Sequence, residues 1–509
     1  MKIMLLNSPY RVKISKDSRW PEFTKSGTLY YPFWLSYATG VLMEFSNHKP
    51  LLVDAVAKEM DQKETLKTIE KFDPEMIVVE TSTPTIHSDV NFIDKIKEIK
   101  ESKIVLAGKH VSALSIDTMQ MSKNIDFLAR GEYDYTIKDI ADHLEKNGFK
   151  SNGLKQIPGI SFRENKTIIN TPPRPLIQDL DSLPFVSKVY KEFLSVYDYK
   201  YALARYPMLQ TWTSRGCPAR CNYCDYPQVF TMHTFRMRSP KNVVDEVEFI
   251  NKKIPQVKEI FFEDDTFTIN RDRVSAICKE IKERGLDVVW SCNARAQLDY
   301  DIMKTMKDAG ARILIVGYES GNQQVLNNIR KGVELAQAER FTRDAKKVGL
   351  RIFGCFMIGL SGDTKESVEQ TFQFAKRMNP DMVFFQQAVP FPGTEFYEWA
   401  KHNGYLVTEK YDEWLDENGQ LKCLVNYPHL TSEEINELRD KLMIRFYTNP
   451  KQIWQTITKN LDPVEGVRVF GYALSYAAYL AKRLTKGRKA LGVVNSNGKA
   501  HKKKSPMLN

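Results

Sequence analysis

The apolar positions of this 509-residue chain fall into two successive series of short runs, separated by segments of helical periodicity. In the first series Lys2-Ile-Met-Leu-Leu, Leu51-Leu-Val-Asp-Ala-Val, Met76-Ile-Val-Val-Glu, Lys103-Ile-Val-Leu-Ala and Ile125-Asp-Phe-Leu-Ala read as strands. Leu35 to Phe45, Val90 to Lys100 and Tyr135 to Lys146 read as helices between or after them. Near-continuous apolar runs alternating with amphipathic helices predict a parallel sheet covered on both faces. Residues 1–150 are therefore expected to form an α/β, doubly wound domain. Residues 151–205 read as a linker, punctuated by Pro158-Gly159, Pro172-Pro173-Arg-Pro175 and Leu183-Pro184.

The second series begins with Leu209-Gln-Thr-Trp-Thr. Five further strands follow at Glu259–Glu263, Val288–Arg295, Arg312–Gly321, Arg351–Gly359 and Met382–Gln387, each preceded by an amphipathic helix. About six β/α units predict a partial, open (β/α) barrel over residues 206–404. Beyond Gly404 the alternation stops and residues 405–509 read as a helical C-terminal region. Thr431-Ser-Glu-Glu434 has capping-box spacing and starts a helix running to about Phe446.

An apolar content of 42% with 27% charged residues is that of a globular chain rather than a disordered one. No stretch reaches the eighteen-odd apolar residues of a spanning helix, and Met1-Lys-Ile-Met-Leu-Leu-Asn reads as a strand, not a signal peptide. Few, scattered cysteines predict a cytoplasmic protein. The net charge of +11 comes with no nucleic-acid-binding motif. It gains meaning only at Val467–Ala481, a nearly all-apolar stretch followed by Lys482, Arg483, Lys486, Arg488 and Lys489. That pairing suits a peripheral helix in a membrane interface, or equally a helix packed on the barrel before a solvated tail.

The chemistry concentrates in Gly216-Cys217-Pro-Ala-Arg-Cys221-Asn-Tyr-Cys224, three of the seven cysteines within eight residues. Three thiolates on one short loop suit a cubane iron–sulfur cluster and leave one iron open. Structural zinc would need a fourth ligand, for which His233 is the only nearby histidine. Polar residues also gather where the barrel strands end: Glu263-Asp264-Asp265-Thr266, Ser291-Cys292-Asn293-Ala-Arg295, Tyr318-Glu319-Ser320 and Gln386-Gln387. A barrel carries its chemistry at that rim. On the first domain, strand-end loops hold Asn7-Ser8, Thr81-Ser82, Gly108-Lys-His110 and Gly131-Glu132, where an open sheet binds ligands; ordinary turn chemistry explains each alone.

The Cys-x3-Cys-x2-Cys spacing, with Tyr223 before its last cysteine, resembles the radical S-adenosylmethionine (SAM) superfamily. The resemblance implies a [4Fe-4S] cluster on Cys217, Cys221 and Cys224, whose open iron binds SAM and whose electron cleaves it to a 5′-deoxyadenosyl radical. It implies SAM contacts from Tyr223, Glu263, Asp264, Ser291, Asn293, Arg295, Glu319, Ser320 and Gly359. A rim salt bridge is the competing reading for Arg295 and Glu319. The preceding domain resembles the Rossmann-like cobalamin-binding domain of cobalamin-dependent members. That implies cofactor contacts from Ser8, Thr81, Ser82, Gly108, His110, Gly131 and Glu132. The Asp-x-His-x-x-Gly segment that ligates cobalt in other such domains is absent. Two readings stay open: cobalamin held without protein ligation, or a domain that has lost it.

Asp264-Asp-Thr-Phe-Thr, Trp290-Ser-Cys-Asn-Ala-Arg, Val316-Gly-Tyr-Glu-Ser-Gly-Asn-Gln-Gln and Pro392-Gly-Thr-Glu are similar to a hopanoid cyclitol ether synthase and archaeal calditol synthase group. That similarity implies ring contraction of the sugar head group on a glycosylated membrane lipid. Cys355 or Cys292 would serve as hydrogen donor and a ferredoxin or flavodoxin as reductant. Cobalamin-dependent C-methylation is the first alternative; a non-catalytic, membrane-associated iron–sulfur protein is the second.

Overall fold

A computed structural model describes residues 1–21 and 27–459. The Val467–Ala481 stretch, its basic run and the tail lie outside the described residues. Met1–Thr456 is one compact unit holding two sheets. Among the described residues no helix is long and apolar enough to cross a membrane.

The first sheet contains β1 (Lys2–Asn7), β2 (Lys49–Asp54), β3 (Met76–Glu80), β4 (Lys103–Ala107), β5 (Phe127–Ala129), β6 (Ile160–Glu164) and β7 (Thr167–Asn170). Its order is β2-β1-β3-β4-β5-β6-β7, with β1 to β5 parallel. Chain direction along the sheet reverses between β1 and β3, so the two adjacent crossovers leave on opposite faces and open a crevice at those strand ends. Strand residues such as Met4, Leu6, Ile77, Val79, Ile104 and Leu106 are wholly buried against Ile86, Phe92, Ile93 and Ile96, on or beside the helix Ile86–Ile99. The five predicted strands are all present. The predicted linker is not wholly a linker: β6 and β7 form a hairpin that extends the sheet antiparallel from β5. Their apolar positions are few and β7 lies half-exposed at the edge, so the strand signal there is weak.

The second sheet is parallel throughout, in the order β15-β14-β13-β12-β11-β8. Its strands are β8 (Met208–Thr211), β11 (Glu259–Phe262), β12 (Trp290–Ala294), β13 (Ala311–Glu319), β14 (Arg351–Ile358) and β15 (Met382–Gln387). Two short strands, β9 (Ser214–Arg215) and β10 (Arg236–Met237), pair antiparallel and bracket the cysteine loop. The six predicted β/α units appear in order, with helices such as Pro240–Lys253 and Lys365–Met378 outside. Thr431 caps the helix Ser432–Tyr447 through the predicted box with Glu434. A segment after Gly404 folds back instead of continuing the barrel. Its Trp414, Leu415, Leu421 and Leu424 pack with Ile14 and Phe391, and Tyr411 reaches the core of the first sheet.

Candidate functional site

The cysteine loop follows β9, and Gly216 turns it. Gly216 has φ +83°, and a Cβ there would lie 2.1 Å from the Thr234 carbonyl oxygen. Only glycine escapes both constraints. Within the loop the Gln228 amide nitrogen donates to the carbonyls of Cys221 (3.1 Å), Asn222 (3.0 Å) and Cys224 (2.9 Å). The Ala219 carbonyl meets His233 Nδ1 at 2.8 Å, which employs His233 in holding backbone. All three cysteines are free thiols. Burial pushes the thiols of Cys217 and Cys224 up, so metal loading must release their protons. Among the described residues no three such side chains converge as around a single ion. A cubane needs no such convergence, because each thiolate binds a different iron. The three-thiol set on a pinned loop fits a cluster.

Next to the loop stands the β11 end. Asp265 accepts from the Gly216 amide at 3.0 Å and from Thr231 at 3.2 Å. Arg19, arriving from the first domain, donates to Glu263 Oε1 at 2.5 Å and Asp265 Oδ1 at 2.8 Å, and lies over the rings of Tyr226 and Trp212. Burial raises Glu263 to about 7 in spite of Arg19. On the opposite rim Glu319 adopts left-handed backbone (φ +64°) at a β-bulge. Its carboxylate folds over Gly317, where a Cβ would lie 2.2 Å from Oε1, and accepts from Lys331 at 2.7 Å. The Tyr223 phenol lies close to Glu319. A non-glycine residue held at positive φ costs energy that only its surroundings offset.

Several residues expected at the rim lie elsewhere. Asp264 is fully buried and accepts from the Thr213 amide (2.6 Å) and the Ser214 hydroxyl (2.6 Å), locking β11 to β9. Ser291 hydrogen-bonds Glu259 at the opposite end of the barrel, because it is the second residue of β12 and not its last. Cys292 points outward, near Cys278 on the helix Arg271–Glu283, since the strand alternates. Ser320 is buried against Thr371 at 3.1 Å. Gly359 has its amide taken by Asp363 and its carbonyl by Tyr427. Asn293 remains half-buried on the rim, donating to the Asp264 carbonyl at 3.0 Å, and Arg295 donates to Gln297 and the Lys331 carbonyl. Cys355 faces the barrel interior.

The strand ends of the first sheet are also largely occupied by protein. The Ser8 hydroxyl donates to Asp89 (2.6 Å), which is ion-paired to a wholly buried Lys16 at 2.5 Å. Thr81 donates to the Ala107 carbonyl and Ser82 pairs with Thr85. Gly108 (φ +114°) lets the Glu80 carboxylate approach; a Cβ would meet it at 2.5 Å. Glu132 is not free for a ligand: it holds Arg236 through two bonds of 2.8 and 2.6 Å. Two positions stay available. Gly131 has no atom within 4 Å of a Cβ position, and His110 Nε2 is buried without a partner while its Nδ1 meets Thr83. Burial lowers His110 to about 3, so the ring is neutral. The neutral, unpartnered ring nitrogen, with Tyr411 packed edge-on against the ring at 5.0 Å, fits an added polar group at these strand ends.

The residues joining the sheets escaped the sequence reading: Arg19, and Lys109, whose ammonium donates to Asp225 at 2.6 Å and to the Ser18 carbonyl at 2.8 Å. Arg215 pairs with Asp134 at 2.9 and 2.8 Å. Position next to a motif (Asp225 follows Cys224, Arg215 precedes Gly216) was the only signal. Their partners are separated by 81 to 246 residues, which periodicity cannot connect.

A family profile described as the radical SAM superfamily matches residues 213–375. An uncharacterized methyltransferase of Pyrococcus horikoshii is 33% identical over 90% of this chain and 95% of its own. The anaerobic magnesium-protoporphyrin IX monomethyl ester cyclase of Cereibacter sphaeroides is 24% identical over 73% of this chain and 62% of its own. Among solved structures, the fold is similar to TsrM of Kitasatospora setae, a radical SAM methyltransferase with cobalamin and a [4Fe-4S] cluster bound. The TM-score is 0.68 at 15% identity, covering 94% of this chain and 99% of that one. Matching through the cysteine loop and barrel, and along nearly the whole length of a relative one-third identical, the chain belongs to the radical SAM superfamily.

Proposed function

We propose that this radical SAM enzyme is a cobalamin-dependent methyltransferase. The observation that carries the reading is the seating of the first sheet's strand ends on the cysteine loop. Lys109, first residue of the short helix Lys109–Ala113 after β4, bonds Asp225, the residue after Cys224. A group held at the β1/β3 crevice would thus face the cluster. When bound, the cluster supplies an electron to SAM and cobalamin supplies a transferable methyl group. The chain's part is to bind and orient. Tyr223, Glu263, Asn293, Arg295 and Glu319 face the rim where SAM would lie, with Glu263 and Glu319 offering carboxylates to its ammonium and ribose. His110, Gly131, Ser82 and Thr83 line the crevice where cobalamin would lie. Buried aromatic rings around Arg19 and Lys109 exclude water between the two.

The relatives favour this reading over ring contraction of a lipid sugar. The P. horikoshii protein, similar along its whole length, is named a methyltransferase, and so is TsrM, whose fold is alike. A ferredoxin or flavodoxin class reductant belongs to the same proposal. The test needs no methyl acceptor: anaerobic protein with reconstituted cluster, SAM and a chemical reductant, with and without added cobalamin. Release of S-adenosylhomocysteine that depends on cobalamin is expected. Formation of 5′-deoxyadenosine alone, indifferent to cobalamin, would overturn the proposal and return ring contraction to first place.

A further inference from the structure

The outer face of the cysteine loop is built from residues that the site beneath it does not use. Cys217 and Cys221 are nearly covered, 8% and 6% exposed, yet Pro218 and Arg220 between them are exposed. Across the loop lies the turn 231–235. Its Thr234 and Met232 carbonyls crowd Gly216, and His233 Nδ1 meets the Ala219 carbonyl at 2.8 Å. The turn thus packs along Gly216-Cys217-Pro218-Ala219 and presents Met232 and Thr234 to solvent. Met237 on β10 extends the face: it pairs with Ser214 and is exposed, while Arg236 before it is buried.

The fold explains neither Met232 nor Arg220. Met232 is 40% exposed at φ +61°, a backbone that glycine or asparagine adopts at lower cost. The side-chain bonds that fix the turn belong to its neighbours, Thr231 to Asp265 and His233 to Ala219, and none requires a methionine at 232. Arg220 forms no ion pair among the described residues. By contrast Arg330, whose carbonyl lies 3.9 Å from Cys221 Sγ, is neutralised by Glu395. The acids next to the loop, Asp225 and Asp265, lie inside and are bound to Lys109 and Arg19. Exposed methionines around one uncompensated positive charge make a surface for an acidic protein.

We propose that this face receives the protein that reduces the cluster, a small acidic one-electron carrier. The inference rests on the cluster of the preceding reading and says where its reductant docks. The carrier loses one electron and the cluster gains it; no bond forms or breaks and no proton is exchanged. A carrier seated on Pro218 and Arg220 is one residue, about 3.8 Å of chain, from Cys217 and from Cys221. It approaches from outside and leaves the rim free for SAM. Transient electron-transfer encounters bury less than about 1,200 Å², so a patch of this size is enough. The flexible thioether of methionine adapts to a partner that must leave again, and opposite charge steers its arrival.

The probe is a flavodoxin photoreduced to the hydroquinone, mixed anaerobically with full-length, cluster-loaded protein. Bleaching of the cluster is followed by stopped flow. Neither SAM nor cobalamin is present, so this proposal and the methyltransferase reading fail separately. The rate should fall as salt rises, at least tenfold with Arg220→Glu and at least threefold with Met232→Gly. Glycine suits φ +61° and keeps the turn, so the second variant decides the matter even where the first disturbs the loop. Dithionite, which needs no docking, should reduce the parent and both variants at rates within twofold. Lys304→Glu makes the same kind of charge change on the outer helix Tyr300–Asp308 and should leave the flavodoxin rate unaltered. A parental flavodoxin rate in Met232→Gly, or equal slowing by Lys304→Glu and Arg220→Glu, would overturn the proposal. So would a parent that dithionite reduces but neither flavodoxin nor a two-cluster ferredoxin does.

Discussion

Replacing Arg19 by Met tests how the two sheets are joined at the cysteine loop. The guanidinium faces Glu263 and Asp265, which are 8% and 4% exposed, and is itself 27% exposed. Removing one partner of a fully buried pair costs roughly 3–5 kcal/mol. Partial exposure of Arg19 lowers that, so about 2 kcal/mol is expected near neutral pH. The loss should depend on pH in a definite direction. Glu263 holds its proton up to about 7 in the folded chain, against an ordinary value of 4.5. A native carboxyl that titrates above its unfolded counterpart makes stability fall as pH rises between the two values, a span of about 3 kcal/mol here. Without Arg19, whose charge pulls Glu263 down, that fall continues to a higher pH. The variant should therefore lie closer to the parent at pH 6 than at pH 8.5. Thermal unfolding followed by far-ultraviolet dichroism at both values is the assay, with a drop of about 2–4 °C at pH 8.5. Equal drops at the two values, or none, would refute the argument.

Three further outcomes follow from single contacts. Gly216→Ala places a Cβ 2.1 Å from the Thr234 oxygen at a positive φ. Iron bound per chain after reconstitution should fall by more than half, and full loading would contradict the assigned turn. Glu132→Gln removes the charge and one of the two buried bonds to Arg236, a loss of about 3–5 kcal/mol, and should lower the melting temperature by several degrees. Cobalamin affinity of the folded variant should be unchanged; an affinity loss at constant melting temperature would restore Glu132 to the crevice lining. Cys292→Ala should keep full turnover because the thiol faces Cys278 behind the sheet, whereas lost turnover would mean it reaches the barrel interior.

The elements were legible because each sheet is parallel. Strands buried on both faces leave uninterrupted apolar runs, as in Met76–Glu80, and the alternating helices fix the crossovers. The cysteine loop was legible because its ligands are local. Rim residues were read from their distance to a strand end, and that is where the reading slipped. Ser291 lies at the opposite end of β12, and Asp264, although at the β11 end, turns inward to Thr213. One residue along a strand changes the face a side chain sees, and four residues change its depth by about 13 Å. The hairpin β6–β7 was hidden by its exposed edge, and β9–β10 by being two residues long.

The ion pairs that went unread have a geometric logic that an apolar seam would lack. Lys109–Asp225, Arg19–Glu263, Arg215–Asp134 and Arg236–Glu132 all join the first domain to the segment around the cysteines, and most of their side chains are nearly buried. Burying such charges adds little net stability, because desolvation cancels much of the attraction. An apolar contact of the same area tolerates sliding by an ångström or two at small cost. A bidentate arginine does not: a shift that breaks Arg215 from Asp134 leaves two buried charges unpaired. The strand ends of one sheet are thereby held in register with the loop of the other. Transfer between a group on the first sheet and one on the second needs reacting atoms within about 3–3.5 Å, so a seam that cannot slide serves that chemistry better than one that is merely sticky.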